Sequence, residues 1–530
     1  MAREKRRTHN MIDFASTKER LTLKEKIGQL FMPAAYINDT EEEIKAVENL
    51  IEEHGIGGIC FFHSRASAAT NYEGKNEVIY NEDSIVVIKS LIRRYQKASK
   101  YPLLIAIDAE WGLAMRIENT PQYPYAITLG AIQDDNSLIF EVGRNIAKDC
   151  KEAGIHWNLA PVSDINNNPN NPVIGYRSFG ENREEVTLKS IAYVKGTESE
   201  GILTSSKHFP GHGDTATDSH LGLPVITKSK GELLANELYP FQQLIHEGVD
   251  SIMVGHLSVP AIANGKSTPS SISKEIIKDL LRAEMQFNGV VISDALNMHA
   301  VSKNYPVPGE LEWLAFDAGN DVLCFAEHTK EGIALILANA STQQINDSFE
   351  RVWRLKEKAI QASKAEAISA SVVYSTEELN HKIAEKSITL LKGSDTDIAT
   401  FRKTNFCTLT FKRFNKTESA TAIIDSLKVM QSEVAEETEV LVLLTPPQIK
   451  PANNFGFIKE EIDFINDLLT HKNVVLYHYG NPYALKHFKI EKSLATIVVY
   501  QDFKEFQDVA TAHFLGKTKA VGKLPFKLKG

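Results

Sequence analysis

The sequence predicts an α/β protein: a (β/α)8 TIM-like barrel followed by a smaller α/β sandwich domain. The 530 residues exceed the ~250–300 at which a single core stops growing, so two domains are expected. Up to about residue 335, apolar β-branched runs alternate with helical patterns about eight times, as in a barrel of eight βα units. Beyond residue 385 the same alternation resumes over a shorter stretch.

The barrel strands are predicted from near-continuous apolar runs, which suit a parallel sheet covered on both faces. They are expected at 28–34, 57–62, 103–110, 156–165, 203–209, 251–257, 290–296 and 321–325. An open, doubly wound sheet is the alternative. The barrel is favoured because polar residues recur at strand ends, where barrel enzymes carry their functional groups. These residues are Asp108, Glu110, Asp164, Lys207, His208, His256 and Asp294.

The domain boundaries follow from the same alternation. We predict the barrel over 1–335, a helical connector over 336–385 and the sandwich domain over 386–530. Strands of the last are expected at "SITLLK", "NFCTLTF", "EVLVLLT", "NVVLYH" and "ATIVVYQ". This region has neither a P-loop nor a GxGxxG motif, which gives no support to nucleotide binding. It is not expected to contribute to a site in the barrel.

Composition excludes several classes of protein. A net charge of −9 and a pI near 6.0 argue against a nucleic-acid partner. No apolar run approaches the ~18 residues of a membrane span, and the basic start "MAREKRRTHNMIDF" lacks the apolar segment of a signal peptide. A cytoplasmic protein is therefore expected; the sequence leaves the oligomeric state open, with a monomer favoured. Cys60 and Cys324 lie in apolar runs and no CxxC pair occurs, so neither a zinc ribbon nor a disulfide framework is predicted.

The segment "KHFPGHGDTATDSHLGLP" (207–224) concentrates functional side chains and raises competing hypotheses. A metal site could use histidine and aspartate ligands, here His208, His212, Asp214, Asp218 and His220. Metal-dependent barrel hydrolases often take ligands from a His-x-His at the end of the first strand, and this strand ends in "MPAAY". A nucleophilic serine would need a GxSxG turn, and the glycines are missing around Ser293, which we expect to hold the strand end.

Proton transfer is the third hypothesis for this segment. Asp218 and His220 are two residues apart, so the carboxylate can orient the imidazole and stabilise its cation. Such a pair requires a nucleophile, and Asp294 at the end of "VVISD" is the best candidate. A strand-end aspartate can equally be structural, so the residues alone leave both roles open for Asp294.

Together these motifs resemble family 3 glycoside hydrolases, specifically the β-N-acetylglucosaminidase branch in its two-domain form. The 207–224 segment carries most of the likeness. Supporting motifs follow in the family's order: "IDAEWGLAMR", "LAPVSDINNNPNNPVIGYRSFG", "QFNGVVISDALNM", "GNPYAL" and "GKLPFKL". One departure lies at the Asp-x-Glu motif, which is followed by "WGL" instead of Gly-Gly-Arg. Trp111 therefore either packs or stacks against a ligand.

The resemblance implies a role for each matching residue. Asp294 would be the nucleophile, His220 the general acid/base, and Asp218 the group that orients it. The residues that would hold the hydroxyls and acetamide of the sugar are Asp108, Arg116, Arg177, Lys207 and His208. His212 and Asp214 would hold the shape of the loop, and His256 is a weaker candidate for the pocket.

The implied activity is retaining exo-hydrolysis of terminal β-linked GlcNAc, from peptidoglycan fragments (muropeptides), without a metal or organic cofactor. The partner would be a small carbohydrate. Within the family, a β-glucosidase or a β-N-acetylglucosaminide phosphorylase is the alternative. A non-catalytic sugar-binding protein or a metal-dependent hydrolase is a more distant one.

Overall fold

The barrel is a ring of parallel strands that closes on itself in the computed structural model, which describes residues 13–63, 81–215, 222–364, 374–413, 420–436 and 438–528. Its strands, numbered β1 to β10, are Phe31–Met32, Ala34–Tyr36, Gly58–Phe62, Leu104–Ile107, Trp157–Asn158, Leu203–Thr204, Ser206–Phe209, Ser251–Val254, Val290–Ser293 and Leu323–Cys324. β1 pairs with β10, β2 to β6 pair in order, and β7 to β9 pair in order.

Single bridges join these pieces into the barrel. Ile292 pairs with Val322 and Val162 with Lys207, both in parallel. β1 continues into β2, and β6 into β7, so the ten segments occupy eight positions of the ring. The predicted barrel is confirmed, with a strand at each of the eight predicted positions. The fourth strand is shorter than predicted, and Pro161, which has no N–H to donate to a ladder, lies within the predicted range.

Helices cover the outside of the barrel. They are Phe14–Lys18, Leu23–Gly28, Glu41–His54, Ser84–Ala98, Ala126–Gly130, Ser137–Ala153, Arg183–Ser199, Lys230–Ala235, Tyr239–His246, His299–Ser302, Glu310–Ala318 and Thr329–Asn339, with a π-helix at Glu275–Glu284. Local sequence sets several of their ends. Thr40 and Glu43 form a capping box at the start of Glu41–His54, and Gly55, at φ 59°, ends that helix in the left-handed conformation.

Two long helices follow the barrel. Thr342–Lys364 packs on it through Trp353, whose indole N–H donates to Phe14 O at 2.9 Å. Thr376–Ser387 packs against both halves of the protein. These helices occupy the region predicted as a connector; its boundaries at 335 and 385 stay predictions.

The second domain is a five-stranded sheet with helices on its faces. Its strands, β11 to β15, are Thr389–Lys392, Cys407–Phe411, Glu439–Leu444, Asn473–His478 and Ala495–Val498. They are ordered β11-β15-β14-β13-β12, with β11 antiparallel and the others parallel. The helices are Asp395–Phe401, Ala420–Glu433, Ala452–Phe455, Lys459–His471 and Lys504–Phe514. The predicted sandwich is confirmed, with each strand where the sequence predicts it.

The second domain packs on the loops that leave the carboxyl ends of the barrel strands. Ile127 of the barrel half is buried in the apolar core of the second domain. Asn166 Nδ2 donates to Tyr483 Oη at 2.7 Å, and Gln501 Nε2 donates to Thr128 Oγ1 at 2.8 Å. These contacts bring second-domain loops close to the barrel mouth. Within the described residues, no helix combines the length and the apolar character needed to cross a membrane.

Candidate active site

A cavity of about 380 Å³ opens at the carboxyl end of the barrel, where the polar strand ends converge. Six residues predicted from the sequence line it: Asp108, Arg116, Arg177, Lys207, His208 and Asp294. Cys60 and Cys324 are buried in apolar surroundings, as predicted, and also line its floor. The predicted pair Asp218 and His220 lies at 216–221, outside the described residues.

A network of alternating charges forms one side of the cavity. Lys207 Nζ lies 2.7 Å from Asp108 Oδ1 and 2.8 Å from Glu110 Oε1, so it bridges the two carboxylates. Arg177 binds Glu110 in a bidentate pair at 2.7 and 2.9 Å. Arg116 Nη2 donates to Asp108 Oδ2 at 3.0 Å. Every charge in the network therefore has at least one opposite charge in contact.

The network keeps its members ionised. Burial alone would raise the pKa of Asp108, but Lys207 and Arg116 outweigh it and hold that pKa at about 2. Burial acts likewise on Glu110, and Arg177 and Lys207 keep its pKa well below the usual range. Burial would lower the pKa of Lys207, whose side chain is 2% exposed, but Asp108 and Glu110 raise it. The cavity thus offers fixed charged donors and acceptors to a polar ligand.

The sequence predicts Glu110 as a strand-end residue and indicates no role for it. The signal was present, since Asp108 and Glu110 are two residues apart and side chains at that spacing share one face of an extended segment. The structure makes Glu110 the link between Arg177 and Lys207.

A buried aspartate holds the start of the 207–224 segment. Asp164 is fully buried and accepts the N–H groups of His208 and His212 at 3.1 and 2.6 Å. His208 Nδ1 also lies 2.8 Å from its carboxylate. Burial would raise the pKa of Asp164, but His208 lowers it. These bonds fix the direction in which the backbone leaves β7, and His208 faces the cavity.

His212 and Asp214 have the surroundings expected of residues that shape the loop. His212 Nδ1 lies 2.8 Å from Thr215 Oγ1, and Asp214 lies 3.0 Å from Lys228. Burial, followed by the charge of His208, lowers the pKa of His212 to about 4. His212 therefore stays neutral in neutral solution while also lining the cavity.

Asp294 is presented by the end of β9. Its N–H donates to Val254 O at 2.9 Å, and its Oδ1 accepts the N–H of Ala295 at 2.8 Å. Ser293 turns inward and accepts the N–H of Cys324 at 3.0 Å, so it holds the strand end as predicted. The backbone thus fixes a partly exposed carboxylate at the cavity wall.

His256 is not among the residues that line the cavity, so the weaker prediction that placed it there is wrong. It is fully buried, with Nδ1 2.7 Å from Ser271 Oγ and Nε2 2.8 Å from Ala295 O. These contacts tie it beneath the residue that follows Asp294.

Aromatic side chains form another part of the cavity. The ring of Trp111 lies 4.9 Å from that of Tyr125 and 6.0 Å from that of Tyr176, and Trp111 and Tyr176 line the cavity. Trp111 therefore packs on Tyr125, one of the two predicted alternatives, and it also lines the cavity; stacking against a ligand stays a prediction. The Arg116 guanidinium lies over the Phe62 ring at 3.8 Å.

Lys450 brings the second domain into the cavity lining. The expectation that this domain would not contribute is therefore wrong. Lys450 lies in the loop after β13, where Asn481 Nδ2 donates to Ile449 O at 2.8 Å. The position of this loop depends on how the two domains pack, so no local motif in the sequence could have indicated it.

Comparison with known proteins agrees with this geometry. A sequence profile of the glycosyl hydrolase family 3 N-terminal domain matches residues 22–355. The chain therefore belongs to glycosyl hydrolase family 3, as its motifs predicted.

Individual relatives carry more specific names than the family profile does. The chain is 33% identical over 378 residues to β-hexosaminidase A of Pseudoalteromonas piscicida. The match covers 66% of this chain and 61% of that protein. It is 34% identical over 250 residues to a β-hexosaminidase of Neisseria meningitidis serogroup C, covering 46% of this chain and 68% of the relative. A family 3 β-N-acetylglucosaminidase from Paenibacillus sp. str. FPU-7 superposes with a TM-score of 0.76 at 27% identity, covering 96% of this chain and 99% of that one.

Proposed function

We propose that this protein is a retaining exo-β-N-acetylglucosaminidase that removes terminal β-linked GlcNAc from peptidoglycan fragments. One observation carries the proposal: Asp294 shares a single cavity with Asp108, Arg116, Arg177, Lys207 and His208. A carboxylate beside a charged hydrogen-bonding wall is what a glycosidase needs to hold a sugar and attack its anomeric carbon. The name of the Paenibacillus enzyme, a β-N-acetylglucosaminidase, supports GlcNAc as the sugar, and the names of the two β-hexosaminidases support a hexosamine.

In the first step, an Asp294 oxygen attacks the anomeric carbon as the bond to the leaving oxygen breaks. His220, oriented by Asp218, gives its proton to that oxygen, so the leaving sugar departs as a neutral alcohol. The product of this step is a glycosyl ester on Asp294.

In the second step, His220 takes a proton from water. The water oxygen attacks the anomeric carbon from the face opposite Asp294. The ester bond breaks and the Asp294 carboxylate is restored. Two inversions give net retention of the β configuration. The network around Lys207 holds the hydroxyls and acetamide of the sugar through both steps. Its charged groups are already in place before the sugar binds, so they need no reorganisation during the reaction.

The test is hydrolysis of paired aryl β-glycosides that carry the same leaving group, one with GlcNAc and one with glucose. We expect kcat/KM for the GlcNAc substrate to exceed that for the glucoside by about 100-fold or more, because the pocket would form bonds to the acetamide. Equal rates, or a preference for glucose, would assign the β-glucosidase alternative. Product analysis in phosphate buffer separates hydrolase from phosphorylase: we expect free GlcNAc as the main product, and sugar phosphate as the main product would contradict the proposal.

A further inference from the structure

Among the residues that the structure describes, one cation of the cavity lining lies outside the network around Lys207. Arg116, Arg177 and Lys207 are all paired with carboxylates at 3.0 Å or less. Lys450 also lines the cavity, and it forms no ion pair with any residue that the structure describes. Its side chain is exposed, unlike that of Lys207, so this charge is available to a ligand.

The two lysines lie at different depths. Lys207 is 2% exposed and comes from a barrel strand, so it belongs to the bottom of the cavity. Lys450 comes from the domain that packs over the barrel loops, and its exposure places it towards the mouth. An exo-glycosidase holds the terminal sugar at the bottom of its pocket. In that arrangement the leaving group extends towards the mouth, the end of the cavity at which Lys450 lies.

The loop that carries Lys450 is held in place. Asn481, itself 3% exposed, donates to Ile449 O next to Lys450, and Gln448 N donates to Phe455 O at 2.8 Å. Pro451 follows directly and restricts the backbone. The loop also borders the barrel segment around Val173, which lines the same cavity. A charge on a braced loop can select a ligand, because little ordering is needed when the ligand binds.

We propose that Lys450 is a specificity residue that binds an anionic group on the leaving sugar, next to the scissile bond. This inference rests on the proposed function. The group that fits is a carboxylate joined through an ether next to the glycosidic oxygen. N-acetylmuramic acid carries such a group, because a lactyl ether occupies O3 beside the glycosidic O4. Trp111, which is partly exposed and lines the same cavity, supplies an apolar surface for the ring of that sugar.

The test compares two disaccharides that differ only in the lactyl group: GlcNAc-β-1,4-N-acetylmuramic acid and GlcNAc-β-1,4-GlcNAc. Lys450→Ala is expected to lower kcat/KM about tenfold for the first substrate and less than about twofold for the second, because only the first loses a charge-assisted hydrogen bond. The loss should lie mainly in KM. Lys450→Arg should keep the wild-type preference, and Lys450→Glu should reverse it.

Lys492→Ala is the matched control, since Lys492 is also exposed on the second domain and lies outside the cavity lining. It should leave both substrates unchanged. The wild-type preference should also shrink between ~0.1 and ~1 M salt, as the Debye length falls from ~10 to ~3 Å.

Two outcomes would overturn the inference and are distinguishable. Equal effects of Lys450→Ala on the two disaccharides would remove Lys450 from recognition of the anion, while leaving the proposed function intact. A wild-type enzyme that hydrolyses neither disaccharide would overturn the proposed function, and this inference with it.

Discussion

Both ends of the barrel bury ionisable side chains, but their pKa shifts differ in direction. The shifts at the carboxyl end favour the charged forms, and those of Lys356 and Glu198 at the amino end favour the neutral forms. At the carboxyl end, opposite charges hold the pKa of Asp108 at about 2 and raise that of Lys207, so both stay ionised. At the amino end, burial lowers the pKa of Lys356 to about 7. Burial, followed by the Asp250 carboxylate, raises the pKa of Glu198 to about 7.

Contacts explain the difference. Lys356 is fully buried and hydrogen-bonds Gln29, a neutral partner that cannot offset its charge. Glu198 shares its surroundings with Asp250, a like charge. Large pKa shifts therefore occur at both ends of the barrel, so they do not by themselves mark the candidate site. What distinguishes the carboxyl end is that its compensated charges share a cavity with the partly exposed carboxylate of Asp294.

A cavity of about 400 Å³ at the amino end shows that paired charges around a cavity are not sufficient to mark a site. Its cations Arg351, Arg354 and Lys358 are paired with Asp321, Glu350 and Asp250 at 2.8, 2.8 and 2.5 Å. These pairs join the helix Thr342–Lys364 to the barrel or to itself. They fit a structural role, in contrast to the charges that meet Asp294.

The largest expected effect is on activity, when one carboxylate at the carboxyl end of the barrel is replaced and the result is compared with the same change at the amino end. Asp294→Asn should lower kcat by about 1,000-fold or more with an unchanged thermal midpoint, because no group remains to form the glycosyl ester. Asp250→Asn at the amino end is the control and should keep kcat/KM within about twofold, since it lies far from the chemistry. Steady-state kinetics on an aryl β-GlcNAc substrate measures both. A substantial rate in Asp294→Asn would contradict the assigned nucleophile.

Next in size is the effect of removing the proposed acid. His220→Ala should slow substrates with poor leaving groups by about 100-fold or more, because their oxygen must be protonated as it departs. Activated aryl glycosides, whose leaving groups depart without a proton, should lose far less in the first step. A series of leaving groups of graded pKa measures this. Equal losses along the series would remove His220 from that role.

A matched pair of lysines then tests the comparison itself. Lys207→Met should lower kcat/KM strongly and destabilise the fold by about 3–5 kcal/mol, because Asp108 and Glu110 lose the cation that bridges them. Lys356→Met should keep wild-type activity and change stability by only about 1–2 kcal/mol, since removing a poorly compensated charge offsets the lost bond to Gln29. Thermal unfolding and kinetics measure both. Equal destabilisation by the two changes would show that Lys207 and Lys356 do not differ in how well their charges are compensated.

The smallest expected effect is a pH dependence at the amino end. The pKa of Lys356 is about 7 in the folded protein and 10.5 as the ordinary value, so between these values the unfolded chain binds more protons. Raising the pH from 7 to 10 should therefore stabilise the wild type relative to Lys356→Met by about 1–3 kcal/mol. Denaturant unfolding of both proteins across this range measures the difference. A difference that stays constant with pH would show that Lys356 keeps its charge when folded.

The sequence predicted the fold and the cavity wall for a physical reason. Strand positions follow from local apolar runs, and the barrel topology brings strand ends such as Asp108, Lys207 and Asp294 together whatever the loops do. Tyr176 and Lys450 could not be found in this way. Tyr176 faces the cavity through a 3-10 turn, and Lys450 through contact between domains, and neither leaves a periodic signal.

The central claim is that Asp294 becomes covalently bound to GlcNAc, and a trapping experiment tests it most directly. A 5-fluoro β-GlcNAc donor with a good leaving group should form the glycosyl ester faster than it is hydrolysed. Intact-protein mass spectrometry should then show the addition of one fluorinated sugar, and peptide mapping should place it on Asp294. The Asp294→Asn variant should remain unmodified. Turnover without any trapped adduct, or an adduct on another residue, would contradict the account.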